Sequence, residues 1–440
     1  MKYNSIKDGD IRKDGLEVVL QAGGTINMVI RGIKWPGLAN LVVSLVALHN
    51  GTWVGKKFID GKEVQAINAF LDDDVSSAEP VELGENSERL FAGFDILGEG
   101  FMISNDEAST LITNDERNRQ VVFPLINGQE VNNDPLQTHS RSAINFVDCP
   151  LEIARTYTMP FEILQTRVKP FREKQNRARN RELWWLFNEN RAGLRKALLN
   201  KRHCFCAAAT TKHLSFSSLP TNYVFTHALK VLATDRWDLY AVVQSTLHEV
   251  WARKYSGALK QDLRYSPSKC FDTFPFPEGL WQTANVNLAE LGERYHEHRR
   301  ALMRQLWLGL TDIYNLFHTR DLTKEHVAKV SKKSPEEAEI GYAGIIELRR
   351  LHVELDTAIR NAYGWHDLNL GHDFIEVETL SENDRVRYTI SPAARKEALK
   401  RLLALNHRRA VEQAASIPAK PKSTQGKKVK ANEKQGDIFL

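Results

Sequence analysis

Arg177, Arg179 and Arg181 alternate along a short polar segment, and Lys169, Arg172 and Lys174 lead into it. From Phe161 to Leu214 the chain carries thirteen Lys/Arg against four Glu, a net +9, whereas residues 1–150 carry thirteen against twenty-two acids, a net −9. Guanidinium groups at that density are suited to phosphate, which they hold by charge and by paired N–H groups, and such contacts position a duplex. A solvated helix face has the same composition, and charge alone leaves both readings open. Downstream, Lys212, His213, Ser215 and Asn222 lie in polar loops rich in Thr and Ser, and side chains of these types donate to base edges. A second basic group, Arg253, Lys254, Lys260, Arg264 and Lys269, punctuates an aromatic stretch, and Lys34 stands just before Trp35-Pro-Gly. No residues are assigned to catalysis or to a metal. Cys149, Cys204, Cys206 and Cys270 make no zinc spacing, His296 and His298 point to different helix faces, and His352 with Asp356 reads as a structural pair.

The elements that must position these groups follow from periodicity. Ile26–Ile30 and Leu38–Leu48 are apolar runs of strand type, and the second should be buried on both faces of a sheet, with something beside it. Residues 51–150 read as a β-rich, acidic insertion with a structural role, in which Asn127-Gly128 is a hairpin-type dipeptide. Asp95-Ile-Leu-Gly-Glu-Gly-Phe imitates a glycine-rich cofactor loop without the preceding buried strand that such a loop needs. Trp184 and Trp185 read as core. Residues 202–235 alternate short β pieces with loops, and Arg236 onward reads as one helix with Trp237, Tyr240, Val243, Leu247, Val250 and Trp251 on a face. Pro267, Pro275 and Pro277 end helical structure, so the Phe-Pro-Phe-Pro run should pin a loop onto that helix. From Trp281 the chain reads as helical, with starts at Ser334-Pro335 and Ser391-Pro392.

The Trp-bearing helix followed by Leu-Arg-Tyr-Ser and Phe-Pro-Phe-Pro resembles the target-recognition region of MmeI-like DNA methyltransferases. Gly23–Ile26, Trp35–Gly37, the Val-Lys-Pro…Trp-Trp element and Leu348–Trp365 are similar to ordered motifs of the same family. The resemblance implies an α/β (α+β overall) chain. Residues 1–50 would be the last strands of a Rossmann-like methyltransferase sheet, 51–280 a mixed α/β target-recognition domain, 281–415 a helical C-terminal domain, and 416–440 a disordered tail. It further implies double-stranded DNA as partner, contacted through Lys34, Arg177, Arg179, Arg181, Lys212, His213, Ser215, Asn222, Arg253, Lys254, Arg264 and Lys269. The family's Asn-Pro-Pro motif and methyl-donor loop are absent from the sequence. S-adenosylmethionine is thus implied for a complete adenine-N6 methyltransferase, bound by another chain or by a missing N-terminal region rather than by this chain alone. The other readings are a stand-alone DNA-binding specificity subunit and an inactive fragment.

Composition sets the remaining bounds. The hydrophobic fraction of 42% and charged fraction of 26% are ordinary for globular domains. No apolar run spans a membrane, the N-terminus lacks a signal core, and the unpaired cysteines fit the cytoplasm. The terminal Gln435-Gly-Asp-Ile-Phe-Leu440 looks like a peptide that docks on bacterial sliding clamps.

Overall fold

The computed structural model describes residue 6 and residues 9–35, 42–73, 78–259, 262–377, 380 and 384–416. Pro36, Gly37, Lys260 and the clamp-like Gln435–Leu440 lie outside them, as does the side chain of Lys34.

The two N-terminal apolar runs form β1 (Thr25–Lys34) and β2 (Val42–His49), paired antiparallel with Val29 opposite Val46. What lies beside them is a hairpin of the same chain, β3 (Lys57–Ile59) and β4 (Lys62–Val64), giving the order β2-β1-β3-β4. Asp60 and Gly61 turn that hairpin at φ 49° and 79°, the left-handed pair that a two-residue β-turn requires. Leu16, Ile26, Val29, Ile59, Ile67 and Leu71 close a small core on one face. The burial expected on both faces of β2 is not found. Leu45 and Leu48 remain 50% and 49% exposed, and Ile30, opposite Leu45 on β1, 37%, because one face of the sheet has no cover among the described residues.

The middle of the chain builds three small sheets. β5 (Leu90–Ala92), β9 (Cys204–Ala208), β11 (Ser217–Leu219) and β13 (Leu229–Leu232) form one, in the order β11-β9-β13-β5. β6 (Met102–Ser104), β7 (Val122–Ile126), β8 (Arg141–Ile144) and β12 (Val224–Phe225) form another, ordered β12-β7-β8-β6. The third is β10 (Thr210–Thr211), β15 (Asp262–Arg264) and β14 (Gly257–Leu259). Asn127-Gly128 makes no hairpin. Asn127 caps a helix, Gly128–Asn133, by accepting from the N–H groups of Gln129 and Glu130, while the Glu130 carboxylate accepts from Asn127 N. That reciprocal cap satisfies donors that a β-turn would leave open.

The stretch from Arg236 is two helices, Trp237–Gln244 and Thr246–Tyr255, rather than one. Ser245 adopts an extended ψ of 155° and its hydroxyl caps the second helix at His248 N. The aromatic run does pin down as expected. Trp251 Nε1 donates to Cys270 O at 3.0 Å, and Phe271, Phe274 and Phe276 are fully buried. Pro267–Phe271 is a single helical turn, because the proline sits at its start where no N–H is needed. Trp184 and Trp185 are core residues.

Three long helices follow, Val286–Leu306, Pro335–Ala362 and Pro392–Ser416, and the predicted Ser334 cap is present with Glu337 completing it. They are interrupted by a hairpin that periodicity did not reveal, β16 (Asp373–Glu376) with β17 (Val386–Thr389). One continuous core runs from Leu90 to Leu402, so sheets and helices on either side of residue 280 bury one another. The architecture is mixed α/β with a helical C-terminal region. No helix among the described residues is long and apolar enough to cross a membrane.

Candidate nucleic-acid interface

A groove of about 880 Å³ opens where five distant segments meet. Its walls are the helix Gly128–Asn133, the residues joining β9 to β10 (Ala208–Thr210), the start of β13 (His227–Lys230), the end of β15 (Arg264, Tyr265), and Arg191 beside Asp95. Close packing makes the junction possible. A Cβ on Gly128 would stand 3.4 Å from Ala208 Cβ and from Ala228 O, and one on Gly309 would stand 2.5 Å from Asn133 Cα. Small residues therefore let the helix Gly128–Asn133 seat against strand ends on one side and against the helix Leu310–Phe317 on the other.

Electrostatically the groove is positive. Arg191, Lys230 and Arg264 line it, with Asp95 as its acidic member. Neither the Lys230 nor the Arg264 side chain has a hydrogen-bond or ion-pair partner among the described residues. Partial burial, and then the charges of Arg191 and Arg264, hold the Lys230 ammonium below the usual lysine range. Arg191 is loosely tethered, donating to Gly93 O at 3.2 Å and standing 4.0 Å from Glu189. Like charges converging with few carboxylates among them oppose folding, and a polyanion in the groove would relieve them.

The residues picked out from sequence fall into three places. Arg264 is in the groove and exposed. The Arg177–Arg181 segment flanks it: Arg179 donates to Asn188 O, and Asn188 Nδ2 donates at 2.6 Å to Asp95, which lines the groove. Arg181 rests on the carbonyls of Gln175 and Asn176 at 2.6 and 2.9 Å, and Arg177 is exposed. None of the three makes an ion pair among the described residues, so their charge faces outward.

The second place is the interior, where the structure differs from a base-reading loop. Ser215 is buried and accepts from Arg299, as part of a network with Gln244 and Tyr314. His213 is buried between Asn315 Oδ1 at 3.1 Å and Arg387 at 2.7 Å, and it stacks on His318 at 5.2 Å. Burial, then Arg387, pushes its imidazole well below the ordinary range, so it stays neutral. Arg253 is committed to Glu249 at 2.8 Å and to Lys212 O at 3.0 Å, and Lys254 to Asp72 at 2.9 Å. These four hold the protein together, and their polar groups already have protein partners.

The third place is other surface. Lys212 is paired with Asp384 at 2.5 Å, Asn222 is exposed on the turn before β12, and Lys269 is exposed on the turn Pro267–Phe271. Sequence reasoning missed Gln129, Asn132, Arg191, Thr210, His227 and Lys230. Lys230 was legible in part, as a lone cation inside an apolar strand, LKVL.

The Asp95–Phe101 segment does not fit a nucleotide cofactor. A Cβ on Gly100 would lie 2.7 Å from the Arg167 carbonyl, so this glycine serves close packing of backbone on backbone. Beneath it, the buried Arg172 donates to Ile96 O and Leu186 O at 3.0 and 2.9 Å, so its guanidinium is committed to the loop's own backbone.

Residues 81–278 match the family described as MmeI, target recognition domain. Among curated proteins none matches the chain. Eighteen chains of solved structures do. One is that of MmeI, a Type IIL restriction-modification enzyme in complex with DNA, with a TM-score of 0.61 and 16% identity. The match covers 93% of this chain and 49% of that one, so this chain spans about half the length of that solved enzyme. The groove, its cations and the flanking arginines all fall inside the segment that is similar to the MmeI target recognition domain.

Proposed function

We propose that this chain recognises a specific sequence in double-stranded DNA on behalf of an MmeI-like adenine-N6 modification system. The observation that carries the reading is the convergence of Lys230, Arg264 and Arg191 on one groove, with Arg177, Arg179 and Arg181 beside it. A groove with an excess of cations on a folded domain is the footprint of phosphate contact. The target-recognition match over the same residues, and the DNA held by the MmeI structure of like fold, support it. Arg264 and the Arg177–Arg181 segment supply phosphate contacts, and the groove accepts the duplex edge.

The sequence has neither a methyl-donor loop of the family's kind nor an Asn-Pro-Pro to hold a flipped adenine. Methyl transfer therefore belongs to a second chain or to further N-terminal sequence carrying those motifs. The unpaired backbone of β2 on the edge of the first sheet, with Leu45 and Leu48 exposed on it, is where such a domain would extend the sheet, since an open edge is stabilised by another strand. Docking of Gln435–Leu440 on a sliding clamp would bring the system to newly copied DNA, and a calorimetric titration of that peptide tests it. The reading as a whole is tested by duplex binding of the full chain at stepped salt. A linear fall of log affinity with log salt supports it; absence of binding at low salt refutes it.

A further inference from the structure

The helix Gly128–Asn133 places Gln129, Asn132 and Asn133 at positions i, i+3 and i+4, so three carboxamides share one face, and all three line the groove. They differ in commitment. Asn133 Oδ1 is approached by the Thr311 hydroxyl at 3.5 Å, whereas the side chains of Gln129 and Asn132 have no protein partner among the described residues. The neighbouring Asn127 amide is already used by the cap. Gln129 is exposed and Asn132 half-buried, so both amides are open to a ligand in the groove, and the cations around them favour an anionic one.

We infer that Gln129 and Asn132 read adenine bases from the major groove of the bound duplex. A carboxamide offers one donor and one acceptor in a plane, which matches N7 and the N6 amino group of adenine and no other base edge as well. A B-form major groove is about 12 Å wide and admits a helix. Lys230, Arg191 and Arg264 flank the carboxamide face, as phosphate contacts must flank a reading element. The face is also pre-organised. Asn127 and Glu130 cap the helix, Ser140 Oγ donates to Glu130 at 2.6 Å, and Gly309 lets a neighbouring helix press against its last turn. A six-residue helix held at both ends loses little freedom on binding.

The inference rests on the DNA-binding reading and is tested so that the two fail separately. The full chain, Gln129→Ala, Asn132→Ala and Gln129→Glu are each used to select sites from a randomised duplex pool, and their salt slopes are measured. Wild type should select a motif containing adenine. Each Ala variant should lose preference at one adenine position by roughly ten- to a hundredfold, with an unchanged salt slope. Gln129→Glu should move that position toward cytosine, whose N4 amino group a carboxylate accepts from. Unaltered motifs in all three variants would overturn the inference and leave DNA binding standing, as would a wild type that binds without sequence preference. No duplex binding by the wild type would remove the proposed function itself.

Discussion

Lys230 and Asp356 show how a charge that serves binding differs from one that serves the fold. Asp356 is fully buried, accepts from Thr246 N at 2.7 Å and pairs with His372 at 2.8 Å. Its carboxyl is held below the usual range against the cost of burial, by His352 and His372 and by the hydroxyl and amide donors around it. Asp356→Ala should therefore lower stability by roughly 3–5 kcal/mol in denaturant titration, because partners are left buried and unpaired. Lys230→Gln should leave stability unchanged or raise it, since the ammonium has only like charges for company. A second residue-scale expectation concerns histidine. Burial lowers His248 to about 3 and His296 to about 4, so both are neutral in the folded chain at neutral pH. Unfolded histidines titrate near about 6.5. Below that pH the unfolded state takes up protons that the folded state refuses, so this stability is complete above about pH 6.5 and falls as pH drops toward about 4. Melting temperatures stepped from about pH 7.5 to about 4.5 should decline through that window, and His248→Gln should decline less; a flat profile would contradict the assignment. Much at this scale was legible: Trp184 and Trp185 as core, the alternating arginines as surface charge. Ser215 was not, because the arginine that claims it, Arg299, is remote in sequence.

Element by element, what could be read depended on whether the deciding contacts were local. The Ser334 cap lies within four residues of its partner, and sequence spelled it out. The break at Ser245 was hidden, since serine inside an apolar periodicity gives no stop signal, and the gain comes from a cap and from Asp356 meeting Thr246 N across the fold. Asn127-Gly128 was misread because asparagine before glycine favours a tight turn, and only Glu130 reaching back distinguishes a capping box. The groove was hidden for the same reason on a larger scale, its walls coming from segments between residue 92 and residue 265. Two substitutions test the element that fills it. Asn127→Ala should cost about 1 kcal/mol of stability and reduce sequence discrimination by loosening the helix. Gly309→Ala should do more, because its Cβ would stand 2.5 Å from Asn133 Cα, backbone that cannot swing aside. Sequence selectivity, measured as the ratio of specific to nonspecific affinity, should fall in both, and an unchanged ratio would show that the helix does not position the base-reading side chains.

Across the whole molecule, the single core from Leu90 to Leu402 makes the sheets before residue 280 and the helices after it one body. The small first sheet stands apart, with its own core and an apolar edge open on β2. In the proposed reading, that division separates recognition from chemistry. Incubated alone with duplex DNA and labelled S-adenosylmethionine, Met1–Leu440 should incorporate no methyl groups, and activity should appear only with a chain carrying the missing motifs; incorporation by the purified chain would refute the division. The first two strands were legible as apolar runs, yet the groove emerged only from the tertiary fold. Its role rests on charge, and charge at a DNA surface has a direct readout. The salt dependence of duplex affinity should be compared between the wild type and the triple variant Arg191→Gln/Lys230→Gln/Arg264→Gln. A slope shallower by up to about three is the predicted result, about one for each phosphate that the variant no longer neutralises. An unchanged slope, with duplex binding intact, would place the DNA elsewhere on the protein.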